Sequence, residues 1–156
     1  MDKTNPQPTG SFSLTSAAFE NGGHIPAKYT CKGDDTSPPL AIAKPPEGTK
    51  SFALILHDPD APAGDWVHWT MWNIPANTTD IASGTVPDSA DEGQTSFDKI
   101  GYGGPCPPSG THRYIFELYA LDSTLELSPN TTRDQLKSEI DKHALGQTTL
   151  TGLFGG

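Results

Sequence analysis

Residues 58–69 read Asp-Pro-Asp-Ala-Pro-Ala-Gly-Asp-Trp-Val-His-Trp. Each proline fixes φ near roughly −65° and lacks an amide donor, so we expect the carboxylates of Asp58 and Asp60 on a stiff, extended backbone. An apolar run precedes the segment at residues 51–57, and an alternating run follows it at residues 66–74. These patterns predict a preformed polar site at the connection of a β-hairpin.

The composition favours strands over long helices. The chain has 156 residues, enough for one hydrophobic core and few for two full-sized domains. It contains 16 Gly and 15 Pro, and 33% of its residues are hydrophobic, which is typical of many short strands joined by turns. We predict a mainly β fold with one or two short helices, as a single domain at residues 11–156 after a flexible tail at residues 1–10.

The charge balance restricts the partners. Ten Lys and Arg stand against 19 Asp and Glu, for a net charge of −9, which argues against a nucleic-acid backbone or an anionic membrane surface as a partner. An apolar run of roughly 18 residues and a signal-peptide core are both absent from the sequence, so we predict no membrane span. We expect a cytoplasmic protein, monomeric or homodimeric and without a cofactor, or a periplasmic or secreted one if a signal peptide has been removed.

Hydrophobic patterns predict the central strands. Residues 51–57 are almost continuously apolar, as in a strand covered on both faces, and residues 112–121 alternate. Strict alternation would place Trp66 and Trp72 on one face of a strand and Trp69 on the other. The residues that we predict for the core are Phe52, Leu54, Leu56, Trp66, Trp72, Phe116 and Leu118.

The remaining segments predict one helix and one irregular strand. Residues 131–145 have a helical pattern, in which Thr132 and Gln135 can form a capping box and Gly146 is suited to end the helix. Residues 25–31 are predicted to be a short extended stretch.

A second segment with functional side chains lies at residues 101–114, which read GYGGPCPPSGTHRY. Gly103 and Gly104 let the backbone approach a ligand closely, and we expect backbone amides there to cradle an anion. The segment lacks the Lys-Ser/Thr ending of a P-loop and does not open a helix, so a nucleotide site of that type is not predicted. We expect the two segments to form one pocket.

These motifs resemble those of a known family. Asp58-Pro-Asp-Ala-Pro with Trp66-Val-His-Trp, and Gly-Gly-Pro-Cys-Pro-Pro with His112-Arg-Tyr, are similar to segments of the phosphatidylethanolamine-binding protein family, which includes the Raf kinase inhibitor proteins. The match covers nearly the whole chain, and residues 29–40 point to the bacterial and archaeal branch. The resemblance implies a large central β-sheet packed on a smaller one, with a small anion-binding pocket at one end.

The resemblance also implies which residues form the pocket. A carboxylate beside a histidine favours the charged imidazolium, which attracts an anion. The residues that match ligand-binding positions of the family are Asp58, Asp60, Pro62, His68, Gly104, Pro105, His112 and Tyr114. The residues expected to support the pocket are Asp35, Pro59, Trp66 and Cys106. No metal site is predicted.

The two cysteines, Cys31 and Cys106, both flank pocket loops if the resemblance holds. A disulfide between them is one alternative in an oxidising compartment, and two buried thiols are the other. The sequence leaves both alternatives open.

The sequence is compatible with two functions. The first is a binding module for a small phosphorylated or anionic ligand, which the family resemblance extends to a regulator or inhibitor of kinases or serine proteases. The alternative is a metal-assisted or cysteine-dependent hydrolase, because Asp and His are hard-metal ligands and Cys106 is a nucleophile in principle. We favour binding over catalysis, since no recognised ligand spacing or Gly-x-Ser-x-Gly elbow occurs. The rim, residues 76–100 and 31–39, is expected to select the partner.

Overall fold

A computed structural model describes residues 11–155, which form two antiparallel sheets and one α-helix. The strands are β1 (Ser13–Thr15), β2 (Leu40–Ala43), β3 (Ser51–Asp58), β4 (Trp66–Pro75), β5 (Asp80–Ile81), β6 (Asp91–Glu92), β7 (Thr111–Leu121) and β8 (Ala144–Gly155). The helices are α1 (Arg133–His143) and a 3₁₀ turn at Ala27–Tyr29. The predicted tail at residues 1–10 lies outside the described residues.

The larger sheet has the order β6-β4-β3-β7-β8, and the smaller sheet has the order β1-β2-β5. Strand β3 lies in the middle of the larger sheet, and all eight of its residues are buried. The sequence of β3 is nearly continuously apolar because both faces of the strand are covered. The prediction of a mainly β fold with a large sheet packed on a smaller one is confirmed.

Two apolar clusters hold these layers together. One lies between the sheets and joins Leu14, Leu40 and Ile81 of the smaller sheet to residues of β3, β4 and β7. The other lies on the opposite face of the larger sheet, where Leu136 and Ile140 of α1 pack. Six of the predicted core residues are fully buried: Phe52, Leu54, Leu56, Trp72, Phe116 and Leu118.

Strand β4 departs from the predicted alternation, and the placement of Trp66 was wrong. Its pairing with β3 shifts by one extra residue at two places, which are β-bulges. A bulge reverses the parity of the residues beyond it, so Trp66 lies on the same face as Trp69, while Trp72 packs on the opposite face with α1. Trp66 is only partly buried, because it lies at the edge of a cavity and not in the core.

Two local predictions also need correction. The predicted extended stretch at residues 25–31 contains the 3₁₀ turn, in which the amide of Tyr29 donates to the carbonyl of Pro26 at 3.0 Å. The predicted capping box of Thr132 and Gln135 is confirmed. Helix α1 nevertheless ends at His143, before Gly146, because the chain passes directly into β8 and pairs with β7.

Within residues 11–155, no helix is both long enough and apolar enough to cross a membrane. Residues 75–100, predicted as a loop, contain the two-residue strands β5 and β6 and otherwise turns and irregular backbone. They run from the end of β4 back along β4 to the end of the larger sheet where β4 begins, and the amide of Ser96 there donates to the carbonyl of Val67 at 2.9 Å. The cavity described below is at that end.

Candidate ligand-binding site

A cavity of about 260 Å³ lies where β3 ends, β4 begins and β7 begins. It is partly open to solvent, and its walls come from the β3–β4 and β6–β7 connections as well as from these strands. The lining residues are Asp58, Ala61, Pro62, Ala63, Trp66, His68, Phe97, Cys106, Pro107, Pro108, His112 and Tyr114. The structure therefore brings the two predicted segments together, with many apolar side chains around a few polar ones.

A buried pair of Asp58 and His112 forms the polar centre of the cavity. Strands β3 and β7 are neighbours in the sheet, and their register brings the end of one beside the start of the other. The Nδ1 atom of His112 lies 2.7 Å from Oδ2 of Asp58, and both residues are buried. The other carboxylate oxygen, Oδ1, accepts from the backbone amide of Asp60 at 2.8 Å. Asp58 therefore fixes the ring of His112 through Nδ1, and the second ring nitrogen, Nε2, does not contact Asp58.

Tyr114 lines the cavity with a hydroxyl group that has no hydrogen-bond partner among the described residues. The residue is fully buried, and burial together with the nearby carboxylate of Asp58 raises the pKa of its hydroxyl. The group thus stays protonated and can donate a hydrogen bond. A buried donor without a partner is costly, and a ligand can supply the missing acceptor.

His68 is fixed by its surroundings in a different way. Its Nδ1 donates to the carbonyl of Gly103 at 2.6 Å, and its ring packs edge-on against Phe97 and Tyr114. Burial lowers the pKa of His68 despite this hydrogen bond. The neutral ring therefore carries its proton on Nδ1, and its Nε2 is a hydrogen-bond acceptor.

Asp60 lies outside the lining of the cavity. Its carboxylate accepts from the backbone amide of Arg113 at 2.9 Å, from Nε at 3.0 Å and from Nη2 at 2.9 Å. The hydrogen bonds from the Arg113 side chain and backbone lower the pKa of Asp60 to about 2. This residue fixes the turn after β3 instead of facing the space beside Asp58.

Gly104 and Pro105 also lie behind the lining, and the expectation of a glycine-amide cradle was wrong. The amide of Gly103 donates to the carbonyl of His68 at 3.0 Å, and the amide of Gly104 donates to Asp35 at 2.8 Å. Both donors are thus used within the protein. Gly104 is needed for close packing, because a side chain there would meet the carbonyl oxygen of Tyr29 at 2.5 Å.

Residues 29–35 hold the second loop from behind, and we call this segment the bracket. A disulfide joins Cys31 to Cys106, so the structure contains the bridged alternative of the two that the sequence left open. The amide of Cys31 also donates to the carbonyl of Pro105 at 3.1 Å, and the hydroxyl of Tyr102 donates to the carbonyl of Tyr29 at 2.6 Å. Asp35 completes the bracket through Gly104, which gives this predicted supporting residue a structural role.

Sequence reasoning missed several lining residues. Phe97 is the most informative of them, because it lies in the polar segment between β6 and β7 and packs against both Trp66 and His68. An isolated aromatic residue in a polar loop was the signal that could have identified it. The other missed residues are small or cyclic: Ala61, Ala63, Pro107 and Pro108. Pro59, predicted to support the pocket, does not line it.

Comparison with known proteins agrees with this architecture. The family model for phosphatidylethanolamine-binding proteins matches residues 15–155. A protein named UPF0098 protein from Methanothermobacter thermautotrophicus is 43% identical over 148 residues, which cover 92% of this chain and 98% of the relative.

Solved structures give the same result. A crystal structure from Chlamydia trachomatis, described as a phosphatidylethanolamine-binding protein homologue, superposes with a TM-score of 0.90 at 38% identity and covers 94% of this chain and 99% of that one. Escherichia coli YbcL, described as a new member of the mammalian family, superposes with a TM-score of 0.88 at 31% identity, with 93% and 98% covered. The chain belongs to the phosphatidylethanolamine-binding protein family.

Proposed function

We propose that this protein binds a small phosphoryl or other anionic group in the cavity around Asp58, His112 and Tyr114. The observation that carries the proposal is the unpartnered, buried hydroxyl of Tyr114 next to the Asp58–His112 pair. A phosphoryl oxygen would accept from this hydroxyl and from Nε2 of a protonated His112. Both groups are fixed by strand β7, so they need little reorganisation to meet a ligand.

The charges in the cavity favour a ligand with a single negative charge. Among residues 11–155, no Lys or Arg lines the cavity. The carboxylate of Asp58 places one negative charge beside His112, and burial lowers the pKa of His68 and keeps its ring neutral. A monoanionic phosphoryl group also has a proton, which it can donate to Nε2 of neutral His68. A dianion would find no second cation in this apolar space.

We propose that the wider role is regulatory. The cavity offers too few contacts to choose among proteins, so the rim at residues 76–100 and 31–39 would supply that selectivity. The family resemblance makes kinases and serine proteases the two partner classes to test first. A pull-down with the wild type and with a chimera bearing a foreign segment at residues 76–100 tests this step, and a chimera that keeps every partner would contradict it.

The hydrolase alternative receives little support from the site. Cys106 is joined to Cys31 and has no free thiol in this state. Over the described part of the chain, no three His, Cys, Asp or Glu side chains form a group with the geometry of a metal site. A panel of esterase and phosphatase substrates tests this alternative, and turnover that is lost in His112→Gln would favour it.

The direct test of the proposed function is the affinity for inorganic phosphate, measured by ligand-observed NMR for the wild type, Tyr114→Phe and Tyr29→Phe. The first substitution removes only the unpartnered hydroxyl, so it should leave the fold stable and weaken binding roughly tenfold, the value of about 1.4 kcal/mol for one hydrogen bond to an anion. The control removes the hydroxyl of a tyrosine whose side chain does not line the cavity, and its affinity should match the wild type.

A second variant tests the charge of the site. His112→Gln keeps a polar side chain but removes the imidazole ring beside Asp58, so phosphate affinity should fall. Undiminished binding in both His112→Gln and Tyr114→Phe would overturn the proposed function.

A further inference from the structure

A third buried histidine, His57, lies on the other face of the sheet from the cavity. Its Nδ1 is 2.7 Å from Oδ1 of Asp65, and its Nε2 is 3.0 Å from Oε2 of Glu117. A carboxylate only accepts hydrogen bonds, so both contacts are favourable only when both ring nitrogens carry protons. The geometry is therefore that of an imidazolium between two carboxylates, in a residue that is 8% exposed.

The surrounding charges complete a network across three elements. Arg133, the first residue of α1, donates from Nη1 to Oδ2 of Asp65 at 3.0 Å. Tyr119 of β7 donates from its hydroxyl to Oε1 of Glu117 at 2.8 Å. Arg133 also donates from Nε to the exposed Asp134 at 3.0 Å. With His57 charged, each oxygen of the Asp65 and Glu117 carboxylates has a donor. Loss of the His57 proton leaves a lone pair facing one carboxylate.

This network is joined to the cavity by the chain itself. His57 immediately precedes Asp58, and Asp65 immediately precedes Trp66, so the two partners lie at the two ends of the hairpin loop at residues 59–65. That loop contributes Ala61, Pro62 and Ala63 to the lining. The ion pair of His57 and Asp65 therefore closes the base of the loop that forms one side of the cavity.

We propose that His57 is a positioning residue whose proton holds the hairpin loop at residues 59–65 in its ligand-binding arrangement, so that pH regulates the cavity through a residue that the ligand does not touch. This inference rests on the proposed function for its effect on affinity. Its effect on the loop can be measured without any ligand. Asp60, the second residue of the loop, is held by Arg113, so the position of Asp60 does not depend on His57.

The direction of the pH effect follows from the balance around His57. Burial alone would lower the pKa of the ring, but the hydrogen bonds and charges of Glu117 and Asp65 outweigh it and raise the pKa above its usual 6.5. A raised pKa means that the stabilisation is complete below 6.5 and is lost as the pH rises through the higher value of the folded protein. The loop should thus be ordered below pH 6.5 and loosen as the pH rises through the raised pKa of His57.

The loop arm of the test follows the His57 ring, the methyl groups of Ala61 and Ala63, and the Trp66 indole by NMR as the pH is raised. In the wild type, one titration step should be shared by the ring and the loop signals. Glu117→Gln keeps the shape of the partner and removes its charge, so it should move that shared step to lower pH. Loop signals that do not follow the His57 ring, or that keep their midpoint in Glu117→Gln, would overturn the proposal.

The binding arm uses dimethyl phosphate, which keeps one negative charge throughout and therefore adds no titration of its own. Wild-type affinity should fall roughly fivefold or more across the His57 step, a typical coupling between two linked sites, and Glu117→Gln should move this fall to lower pH. The matched control is His143→Gln, which removes another His–carboxylate contact, to Asp122 at 2.9 Å, at the last residue of α1. It should keep the wild-type profile.

The two arms separate the two proposals. Loop signals that follow His57 in a protein that binds no dimethyl phosphate or inorganic phosphate at any pH would overturn the proposed function and support the positioning of the loop by His57. Binding whose pH profile is the same in the wild type and Glu117→Gln would overturn the role of His57 and support the proposed function.

Discussion

Two of the walls of the cavity are held in place by different means. The strand wall consists of Asp58, His112 and Tyr114, which belong to neighbouring strands of the larger sheet. The loop wall consists of Cys106, Pro107 and Pro108, which the bracket at residues 29–35 holds through a disulfide and hydrogen bonds. The hydrophobic core fixes the register of the first wall, whereas the position of the second depends on a few specific links.

This difference indicates which parts of the cavity should affect ligand binding and which should affect access to it. The polar groups that we propose to contact the ligand are on the strand wall, where a shift in register would bury the wrong faces of β3 and β7. The loop wall is mainly apolar and shapes the entrance. Changes to the loop wall should therefore alter access and stability, and changes to the strand wall should alter binding itself.

Removing the disulfide should break the loop wall and cost the most stability. The Cys31–Cys106 link spans 75 residues of sequence, and the chain-entropy estimate for a loop of that length is about 4 kcal/mol. Urea unfolding of the Cys31→Ser and Cys106→Ser double variant should show this loss as a lower midpoint. A loss under about 1 kcal/mol would mean that the hydrogen bonds of the bracket suffice.

Asp58→Ala should have the next largest effect, because it breaks the strand wall. It leaves the buried ring of His112 without its carboxylate, and the expected cost is about 3 kcal/mol. Chemical denaturation measures this cost, and Asp58→Asn is the control that keeps an acceptor for His112. An unfolding free energy equal to that of the wild type would show that the pair does not stabilise the wall.

Gly104→Ala should have an intermediate effect on the loop wall. The added methyl group would be 2.5 Å from the carbonyl oxygen of Tyr29 and 3.0 Å from the Cα of Thr30. The bracket must move to accommodate the methyl group, and such overpacking lowers the free energy of unfolding by about 2 kcal/mol. Gly64→Ala is the comparison variant without crowding. A methyl group there meets no atom within 4 Å, and only the φ of +109° opposes the change. Equal midpoints for Gly104→Ala and the wild type would contradict the predicted crowding.

Asp60→Ala should have the smallest effect on both walls. Its partner Arg113 is exposed, and exposed ion pairs contribute little to stability. Because Arg113 lowers the pKa of Asp60 from 3.8 to about 2, this contribution is present above 3.8 and is lost as the pH falls through about 2. Thermal unfolding of the wild type and the variant should therefore differ slightly at neutral pH and converge at the acid end. A fall in phosphate affinity as large as in His112→Gln would place Asp60 in the site.

The sequence predicted the strand wall better than the loop wall, for physical reasons. Strands at residues 51–57 and 112–121 could be predicted because burial imposes a strong hydrophobic pattern on them. The prolines around them predicted that Asp58 and Asp60 would belong to one preformed site, but β3 ends at Asp58, and the adjacent Arg113 binds the carboxylate of Asp60. A period of two residues does not indicate where a strand ends or which long side chain competes for a carboxylate.

The misplaced features share a dependence on tertiary contacts. The two bulges of β4 arise where backbone pairing changes, and a hydrophobic pattern does not predict such a change. The same holds for the 3₁₀ turn at Ala27–Tyr29. The amides of Gly103 and Gly104 were predicted to be free because the sequence does not show that His68 and Asp35 reach them. The position of His57 between two carboxylates likewise became visible only with the sheet register.

The most direct test of the central claim is chemical-shift mapping of the protein with increasing inorganic phosphate at slightly acidic pH. We expect saturable chemical-shift changes that centre on Tyr114, His112 and the Trp66 indole. These changes should share one dissociation constant, with little change at Asp60 and Arg113. Shifts that do not saturate, or that centre on Arg113 outside the cavity, would contradict the assignment of the strand wall as the ligand-binding site.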